Sequence, residues 1–377
     1  MKNLINDIQQ VLASVAQKLL PAILVLAMLF PITVSAAGKG GADAPDVDVK
    51  KIIFEHVKDA YEWHVTTIGD KHVSIYLPII VYSERTGWDS FSSGVFHHHD
   101  EYNGFSIARD GDNEGKIVEM AADGTMQRPM LDISITKTVL AVFLNAILLV
   151  VIVLSVASWY KRRGNKDSLE APKGFVGAFE MMVDFVIEDI AKPNIGKNYA
   201  RFLPYLLTAF FFIFLSNIMG IIPIFPGGSN VTGNIAVTMA LAICTFIAVN
   251  VFGNKEYWKE ILWPDVPVWL KVPIPLMPLI EIFGIFVKPF ALMIRLFANI
   301  LAGHTVVLAF VCIIFVTMSV NMAIGSAMTF VSVLFTVFIN FIELLVAFVQ
   351  AFVFTMLSAV FIGMAQHEPH EHNAHGQ

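Results

Sequence analysis

Long apolar runs fill the second half of the chain, and polar residues dominate the stretch that precedes them. Residues 138–159 contain no charged side chain, and none occurs from Phe202 to Gly253. An uncharged apolar run of about 20 residues is long enough to cross a bilayer as a helix. Pro, Gly, Ser and Asn interrupt the second run at residues 223–233, so it predicts two spans joined by an external turn.

Two longer apolar stretches, residues 276–316 and 328–364, lie near the C-terminus. As helices each would be about 55 to 60 Å long, nearly twice a hydrocarbon core of about 30 Å. We therefore expect both helices to tilt steeply in the membrane. We also expect them to form an antiparallel hairpin that turns near residues 318–326.

A third kind of pattern occupies residues 175–190, where apolar residues recur at helical spacing beside an acidic face. It predicts a helix lying at the membrane interface or against a partner. Together the patterns predict an all-α polytopic membrane domain over residues 132–366, with about five membrane-embedded helices and one interfacial helix. The last two of these helices are the long, tilted ones.

The polar stretch at residues 37–131 predicts a small exported extramembrane α+β domain. A helical stretch is expected around residues 52–65, and strand-like runs at 73–77 and 104–107 are separated by Gly and Asp turns. Residues 1–36 precede it with lysines, an apolar run and a small-x-small site, which predicts a signal peptide. An uncleaved signal anchor is the alternative.

Composition and charge agree with a membrane protein. Of 377 residues, 56% are apolar and 15% charged, and the mean hydropathy is +0.67, outside the range of soluble globular domains. The net charge of -6 argues against nucleic acid as a partner. Cys244 and Cys312 lie inside apolar runs, so the sequence contains no disulfide framework and no cysteine metal site. No cofactor is predicted.

The distribution of positive charge predicts the orientation of the chain. Four basic residues follow the first span: Lys161, Arg162, Arg163 and Lys166. Basic residues concentrate on the cytoplasmic side, so residues 37–131 are expected in the periplasm and the C-terminus in the cytoplasm of a bacterial inner membrane. The His-rich tail, residues 367–377, is either a metal-binding tract or a disordered solvated end. The histidine triplet at residues 97–99 raises the alternative of a metal site. A solvated loop is the favoured interpretation, because neighbouring residues on a strand point to opposite faces and cannot all bind one ion.

Residues 272–366 contain five ionisable groups besides Cys312. They are Glu281, Lys288, Arg295, His304 and Glu343. An intramembrane charge costs about 3 kcal/mol on insertion scales, so each of these groups is expected to have a partner or a function. Steps of seven residues connect the first three, and Asn299 follows four residues later, so they predict a polar stripe along one helix.

In an antiparallel hairpin of two helices, a residue on one helix and the residue at the same depth on the other have residue numbers that add up to a nearly constant sum. The sum is 645 for Arg295 with Gln350 and 647 for His304 with Glu343. These two pairs are therefore expected to lie at matching depths. However, nine residues rotate His304 about 180° away from Arg295, whereas Glu343 and Gln350 share one helix face. Two straight helices cannot bring both pairs into contact, so a bridging water or a curved helix is needed.

The run from Lys288 to His304, KPFALMIRLFANILAGH, resembles the signature of ATP synthase subunit a, centred on its essential arginine. Supporting stretches are 217–223, NIMGIIP; 234–241, NIAVTMAL; and 350–357, QAFVFTML. The resemblance covers residues 131–366. It implies a subunit that conducts protons through two half-channels and couples their flow to rotation and ATP synthesis, without being an enzyme by itself. The implied partners are the rotor c-ring, subunit b of the peripheral stalk and the lipid bilayer.

The resemblance also implies residue roles. Arg295 would face the proton-carrying carboxylate of the c-ring, supported by Gln350 and Asn299. His304 and Glu343 would line the inlet half-channel, where the acid and the imidazole are exchanged relative to bacterial members often cited for the family. Further members of the proton path are Glu281 on the outlet side, Asn217 and Lys288. Gly220 stands where some relatives carry an acidic residue.

Structural roles compete with some of these assignments. Lys288 could extend to the interface or pair with Glu281 through an intermediate group, and His304 with Glu343 could be a purely structural pair. A secondary transporter would use similar charges, but the sequence has no second copy of the Arg295 segment. A membrane enzyme would need a motif such as His-Glu-x-x-His, which is missing from the sequence. The transported ion is expected to be a proton, with sodium as the alternative.

Overall fold

The apolar runs form helices, and the polar stretch before them forms strands, in a computed structural model of the chain. The structure describes residues 59–68, 71–97, 99–109, 111, 113–120, 125–163, 172–222, 227–262, 276–320 and 322–366. The predicted signal peptide, residues 1–36, and the His-rich tail, residues 367–377, lie outside these residues.

The strand-containing region, residues 59–132, consists of three small antiparallel sheets, and we call it the extramembrane domain after the location predicted for it. Its strands are β1 Glu62–Ile68, β2 Lys71–Tyr76, β3 Pro78–Ser83, β4 Gly87–Ser92, β5 Phe105–Ile107, β6 Ile117–Met120, β7 Met126–Gln127 and β8 Leu131–Asp132. Strand β1 pairs with β2, β3 lies between β4 and β8, and β6 lies between β5 and β7. The short 3-10 helix Ser93–His97 follows β4.

The expected helix around residues 52–65 is wrong for residues 59–65, because β1 begins at Glu62 and no helix precedes it among the described residues. Four consecutive β-branched residues, from Val65 to Ile68, favour the extended conformation. Residues 52–58 lie outside the described part of the chain. The strand-like runs at 73–77 and 104–107 are confirmed in β2 and β5.

The core of the extramembrane domain is apolar, with one buried phenol. Ile79, Val81 and Ile117 are completely buried in it, and Tyr61 packs beside them. The hydroxyl of Tyr61 donates a 2.8 Å hydrogen bond to the carboxylate of Asp132. Burial, and then this hydrogen bond, raise the pKa of Tyr61. The phenol therefore remains a donor that holds β8 against the core.

Eight helices follow in the described part of the chain. They are α1 Lys137–Arg163, α2 Phe175–Phe185, α3 Lys192–Ile195, α4 Tyr199–Ile221, α5 Ile235–Val251, α6 Lys255–Leu262, α7 Leu276–Val320 and α8 Met322–Gln366. Four described segments are long and apolar enough to cross a membrane, Lys137–Arg162, Phe175–Ile221, Met277–Met318 and Gly325–Gln366, and α5 is a shorter apolar helix. The predicted all-α membrane fold with a small strand-containing domain is confirmed.

Helices α7 and α8 form the predicted antiparallel hairpin. Lys288 lies over the ring of Phe361, 5.7 Å from its centroid, and the rings of Phe310 and Phe335 stack at 5.6 Å. The turn is tighter than the expected loop at 318–326, because α7 ends at Val320 and α8 begins at Met322. Gly325 allows this: a Cβ there would lie 2.8 Å from the Cα of Met318.

The helical core forms where α8 packs against α4 and against the π-helical turn Val186–Ala191 that follows α2. Leu206 and Ile213 of α4 and Ile362 of α8 are completely buried in this core. Asp184 and Glu188, on the other face of the α2 segment, are exposed. This division of faces matches the amphipathic pattern predicted for residues 175–190.

Gly363 marks the closest backbone approach in this core and provides a test of it. A Cβ at this position would lie 1.9 Å from the carbonyl oxygen of Asn194, a backbone atom that cannot rotate away. We expect Gly363→Ala to destabilise the fold by about 1–3 kcal/mol, as overpacking of a core does. Thermal denaturation of the detergent-solubilised complex measures the effect. Gly284→Ala is the matched control, because a Cβ at Gly284 meets nothing within 4 Å; equal stability of the two variants would contradict the packing described.

Candidate functional site

A buried acid and an imidazole face each other between α7 and α8. The His304 Nδ1 and Glu343 Oε1 atoms are 3.7 Å apart, an ion-pair distance when the imidazole is protonated. The side chain of Glu343 is 7% exposed and that of His304 is 23% exposed. A carboxylate buried to this extent needs a charged or hydrogen-bonding partner, and His304 is placed to provide one.

Two glycines make room for this pair. A Cβ at Gly303 would lie 2.9 Å from Glu343 Oε1, so the carboxylate occupies the space that any other residue would fill. A Cβ at Gly220 would lie 3.6 Å from His304 Nε2, which places the other imidazole nitrogen against the backbone of α4. The imidazole therefore lies between the carboxylate on α8 and the end of α4.

Asn217 connects the end of α4 to α8 and to the loop that follows. Its side-chain Nδ2 donates to the carbonyl oxygen of Ala347 at 3.4 Å. Its Oδ1 accepts a 2.6 Å hydrogen bond from the hydroxyl of Thr232. Asn217 and Thr232 are 3% and 1% exposed. A narrow cleft next to them is lined by Asn217, Gly220, Ile221, Asn230, Ile300, His304, Glu343 and Ala347.

The loop at residues 227–234 brings further polar atoms to this cleft. Asn230 Oδ1 accepts a hydrogen bond from the amide of Gly233 at 2.8 Å. Among the described residues, Asn230 Nδ2 and Ser229 Oγ are buried and have no hydrogen-bond partner. Native structures contain few buried polar groups without a partner, so these two atoms set this loop apart. We refer to Asn217, Asn230, Thr232, His304 and Glu343 as the polar cluster.

Arg295 lies on the opposite face of α7. Its neighbours Leu292, Leu296 and Ile300 are buried, whereas Arg295 and Asn299 are exposed. The nine-residue spacing thus directs His304 into the bundle and Arg295 out of it. Of the two expected pairs, His304 with Glu343 is therefore formed, whereas Arg295 lies on the face of α7 that points away from this pair.

Gln350 lies on the buried face of α8, 7% exposed, with Glu343 two turns away. Within the described residues no hydrogen bond joins Gln350 to Arg295 or to Asn299. The contacts on either side of this position have residue-number sums of 645, for Phe310 with Phe335, and 649, for Lys288 with Phe361, so Gln350 lies within about one turn of the depth of Arg295. The sequence therefore predicted the approximate depth of Gln350 in the hairpin. It did not predict whether Arg295 and Gln350 lie on the exposed or the buried face of their helices.

Glu281 and Lys288 occupy the first third of α7 and do not pair directly. Lys288 lies over the Phe361 ring of α8, and the two charged residues form no ion pair within the described residues. Glu281 lies near α6, where burial, and then the negative charge of Glu281, raise the pKa of Tyr257. A pairing of Lys288 with Glu281 was one of the structural alternatives, and in the described residues the lysine instead lies against an aromatic ring.

The contribution of the 227–234 loop did not follow from the sequence. Ser229, Asn230 and Thr232 stand in a stretch rich in Gly, Pro and Asn, and that composition is typical of any exposed turn.

His97 ends a 3-10 helix rather than a strand. No group of three His, Cys, Asp or Glu side chains suited to a metal ion occurs in the described part of the chain.

The fold and the site define a multi-pass membrane protein that holds ionisable side chains inside its helical bundle. Residues 142–363 match the family of the ATP synthase A chain, and residues 52–136 match a domain of unknown function, DUF8433. The chain belongs to the ATP synthase subunit a family. A subunit of this kind is not an enzyme by itself, as the sequence predicted.

Three relatives show the extent of the similarity. ATP synthase subunit a 2 of Chlorobaculum tepidum is 42% identical over 290 residues, which cover 74% of this chain and 75% of the relative. ATP synthase subunit a of Chlorobium phaeobacteroides strain DSM 266 is 43% identical over 64% of this chain and 69% of the relative. ATP synthase subunit a of Myxococcus xanthus is 43% identical over 65% of this chain and 77% of the relative.

Proposed function

We propose that the chain is the proton-conducting stator subunit of a rotary ATP synthase, in which α7 separates two half-channels. One observation carries the proposal: α7 presents Arg295 on its exposed face and directs His304 toward the buried Glu343 on its other face. An exposed cation in an apolar helix surface is costly against lipid, so this surface requires a partner that supplies an anion. The carboxylate of a rotor c-ring meets this requirement.

The surface around Arg295 suits a closely approaching helix. Ala291, Ala298 and Ala302 are exposed on the same side of α7. Small residues let two helix backbones come close in a membrane. The guanidinium of Arg295 remains charged at every physiological pH. It favours the ionised form of a rotor carboxylate that passes it, and it blocks direct proton transfer between the half-channels.

The polar cluster serves as the inlet half-channel. Its members extend from the 227–234 loop to Glu343, and Asn230 Nδ2, a buried donor without a hydrogen-bond partner, lies at its outer end. An imidazole accepts and releases protons near neutral pH, so His304 can pass them to Glu343.

The driving force is about 2.3 kcal/mol for each charge that crosses 100 mV. Several protons per ATP are therefore needed.

The outlet half-channel follows the other end of α7. Glu281 lies there near Tyr257 of α6, and Lys288 lies halfway along the helix from Glu281 to Arg295. The basic residues after α1 support an orientation in which this end faces the cytoplasm and the extramembrane domain lies in the periplasm of a bacterial inner membrane. The exposed acidic face of the α2 segment, with Asp184 and Glu188, is available to subunit b of the peripheral stalk. Both α7 and α8 tilt, because each exceeds the thickness of the bilayer.

A disulfide cross-link to the rotor tests this arrangement. With Cys244 and Cys312 replaced by Ala, Ala302→Cys should cross-link, when membranes are oxidised, to a cysteine placed on the rotor helix about two turns from the rotor carboxylate, at the depth of Ala302. Ala157→Cys is the matched control, since Ala157 is equally exposed but lies on α1, which packs mainly on α4. We expect a cross-linked product for Ala302→Cys and none for Ala157→Cys. Cross-linking from α1 alone would contradict the assignment of the rotor surface.

A further inference from the structure

Trp63 of the extramembrane domain reaches the membrane helices. It is 3% exposed and forms an apolar cluster with Ala141 of α1 and Val231 of the 227–234 loop. Phe212 of α4 and Val237 of α5 pack against this cluster. An indole is among the largest apolar surfaces that a protein buries, and burial of this degree fixes the groups it touches. The extramembrane domain and the loop are thus held together at one point.

Hydrogen bonds from backbone amides near the start of α1 also attach the domain to the membrane helices. The amide of Lys137, at the start of α1, donates to the carbonyl oxygen of Ala60 at 2.8 Å. The amide of Thr138 donates to the carboxylate of Asp59 at 3.0 Å. The amide of Ile135 donates to the carbonyl oxygen of Pro78 at 3.1 Å. The domain is therefore attached to the start of α1 on both sides of Trp63 in the sequence.

Val231 lies between two members of the polar cluster. It is completely buried, its predecessor Asn230 lines the cleft with His304, and its successor Thr232 donates the 2.6 Å hydrogen bond to Asn217. A loop of Gly, Ser and Asn has little side-chain packing of its own to hold this conformation. The contact with Trp63 supplies the apolar burial that the loop lacks.

We propose that the extramembrane domain, whose family has no known function, clamps the 227–234 loop over the polar cluster, and that Trp63 is the positioning residue. The clamp holds Asn230 and Thr232 at the outer end of the cleft and so determines how protons reach His304. The proposal rests on the proposed function, because it concerns the inlet half-channel of that same subunit.

ATP-driven proton pumping per assembled complex, in inverted membrane vesicles, tests the clamp. We expect Trp63→Ala to lower this rate by roughly two- to tenfold, the range expected from losing one buried hydrogen bond. Trp63→Phe should restore most of the rate, because it keeps an aromatic ring in the apolar cluster. Trp88→Ala, at a 62% exposed position of the same domain, is the matched control and should leave the rate unchanged.

A double-mutant cycle separates positioning from a merely structural role. If Trp63 acts through the Thr232 hydroxyl, then Trp63→Ala adds no further loss in a Thr232→Val background. A role in stability alone would lower the amount of complex and leave the rate per complex unchanged, and multiplied losses in the double variant would overturn the coupling to Thr232. If Trp63→Ala assembles too poorly for the assay, Val231→Ala tests the same contact from the loop and should show the same loss.

An Arg295→Ala sample in the same vesicles distinguishes failure of the clamp from failure of the proposed function. Pumping that survives Arg295→Ala overturns the proposed function. Pumping that stops with Arg295→Ala but is unchanged per complex in Trp63→Ala and Val231→Ala overturns only the clamp.

Discussion

Replacement of Arg295 by alanine is expected to reduce ATP-driven proton pumping to below about 1% of the wild-type rate while the complex still assembles. Arg295 is the only arginine on α7, and its side chain is exposed, so its removal leaves no hole in the core. In the proposed mechanism, loss of the fixed positive charge means that a rotor carboxylate is no longer held in its ionised form between the half-channels. Passive proton permeability should rise for the same reason.

The measurement combines pumping, passive permeability and the amount of assembled complex in the same vesicles. Arg201→Ala is the matched control, because Arg201 is also exposed but lies on α4, with its guanidinium 4.6 Å from the ring centroid of Phe252. This variant should pump normally. Coupled pumping at the wild-type rate in Arg295→Ala would sink the assignment of Arg295 as the barrier.

Exchange of the buried pair is the second large effect. His304→Glu alone places two carboxylates at an ion-pair distance, and Glu343→His alone places two imidazoles there. Like charges at such a distance cannot both form in a buried site. Each single change should therefore lower pumping by roughly 100-fold, the lower end of what a positioned proton-transfer group contributes.

The double variant His304→Glu with Glu343→His should recover most of the lost pumping, because one acid and one imidazole again face each other. Gly303 lies against the Glu343 carboxylate and Gly220 against the His304 imidazole, so neither neighbour has a side chain that would obstruct the exchange. A double variant no better than the single ones would show that the two positions are not equivalent stations of one proton path. Glu343→Gln separates the structural alternative, since a structural pair tolerates the amide and a proton relay does not.

The positions of the membrane helices were predictable because hydropathy is a local property. The uncharged run at 138–159 lies in α1, and the break at 223–233 separates α4 from α5. The pairing of His304 with Glu343 was predictable as well, since a hairpin of two long helices leaves little freedom in register. The helix expected around residues 52–65 failed where the β-branched residues of β1 found a partner strand in β2.

By itself, the sequence determined the helical membrane fold, the antiparallel hairpin and the identity of the ionisable residues inside it. Both the spacing of apolar residues and the free-energy cost of burying a charged side chain can be read within a single segment. Only the tertiary structure decided that Arg295 faces outward and His304 inward, that the loop residues Asn230 and Thr232 join the polar cluster, and that Trp63 holds this loop. These features depend on how α7 is rotated against α4 and α8. They also depend on contacts between segments far apart in the chain, which no local pattern records.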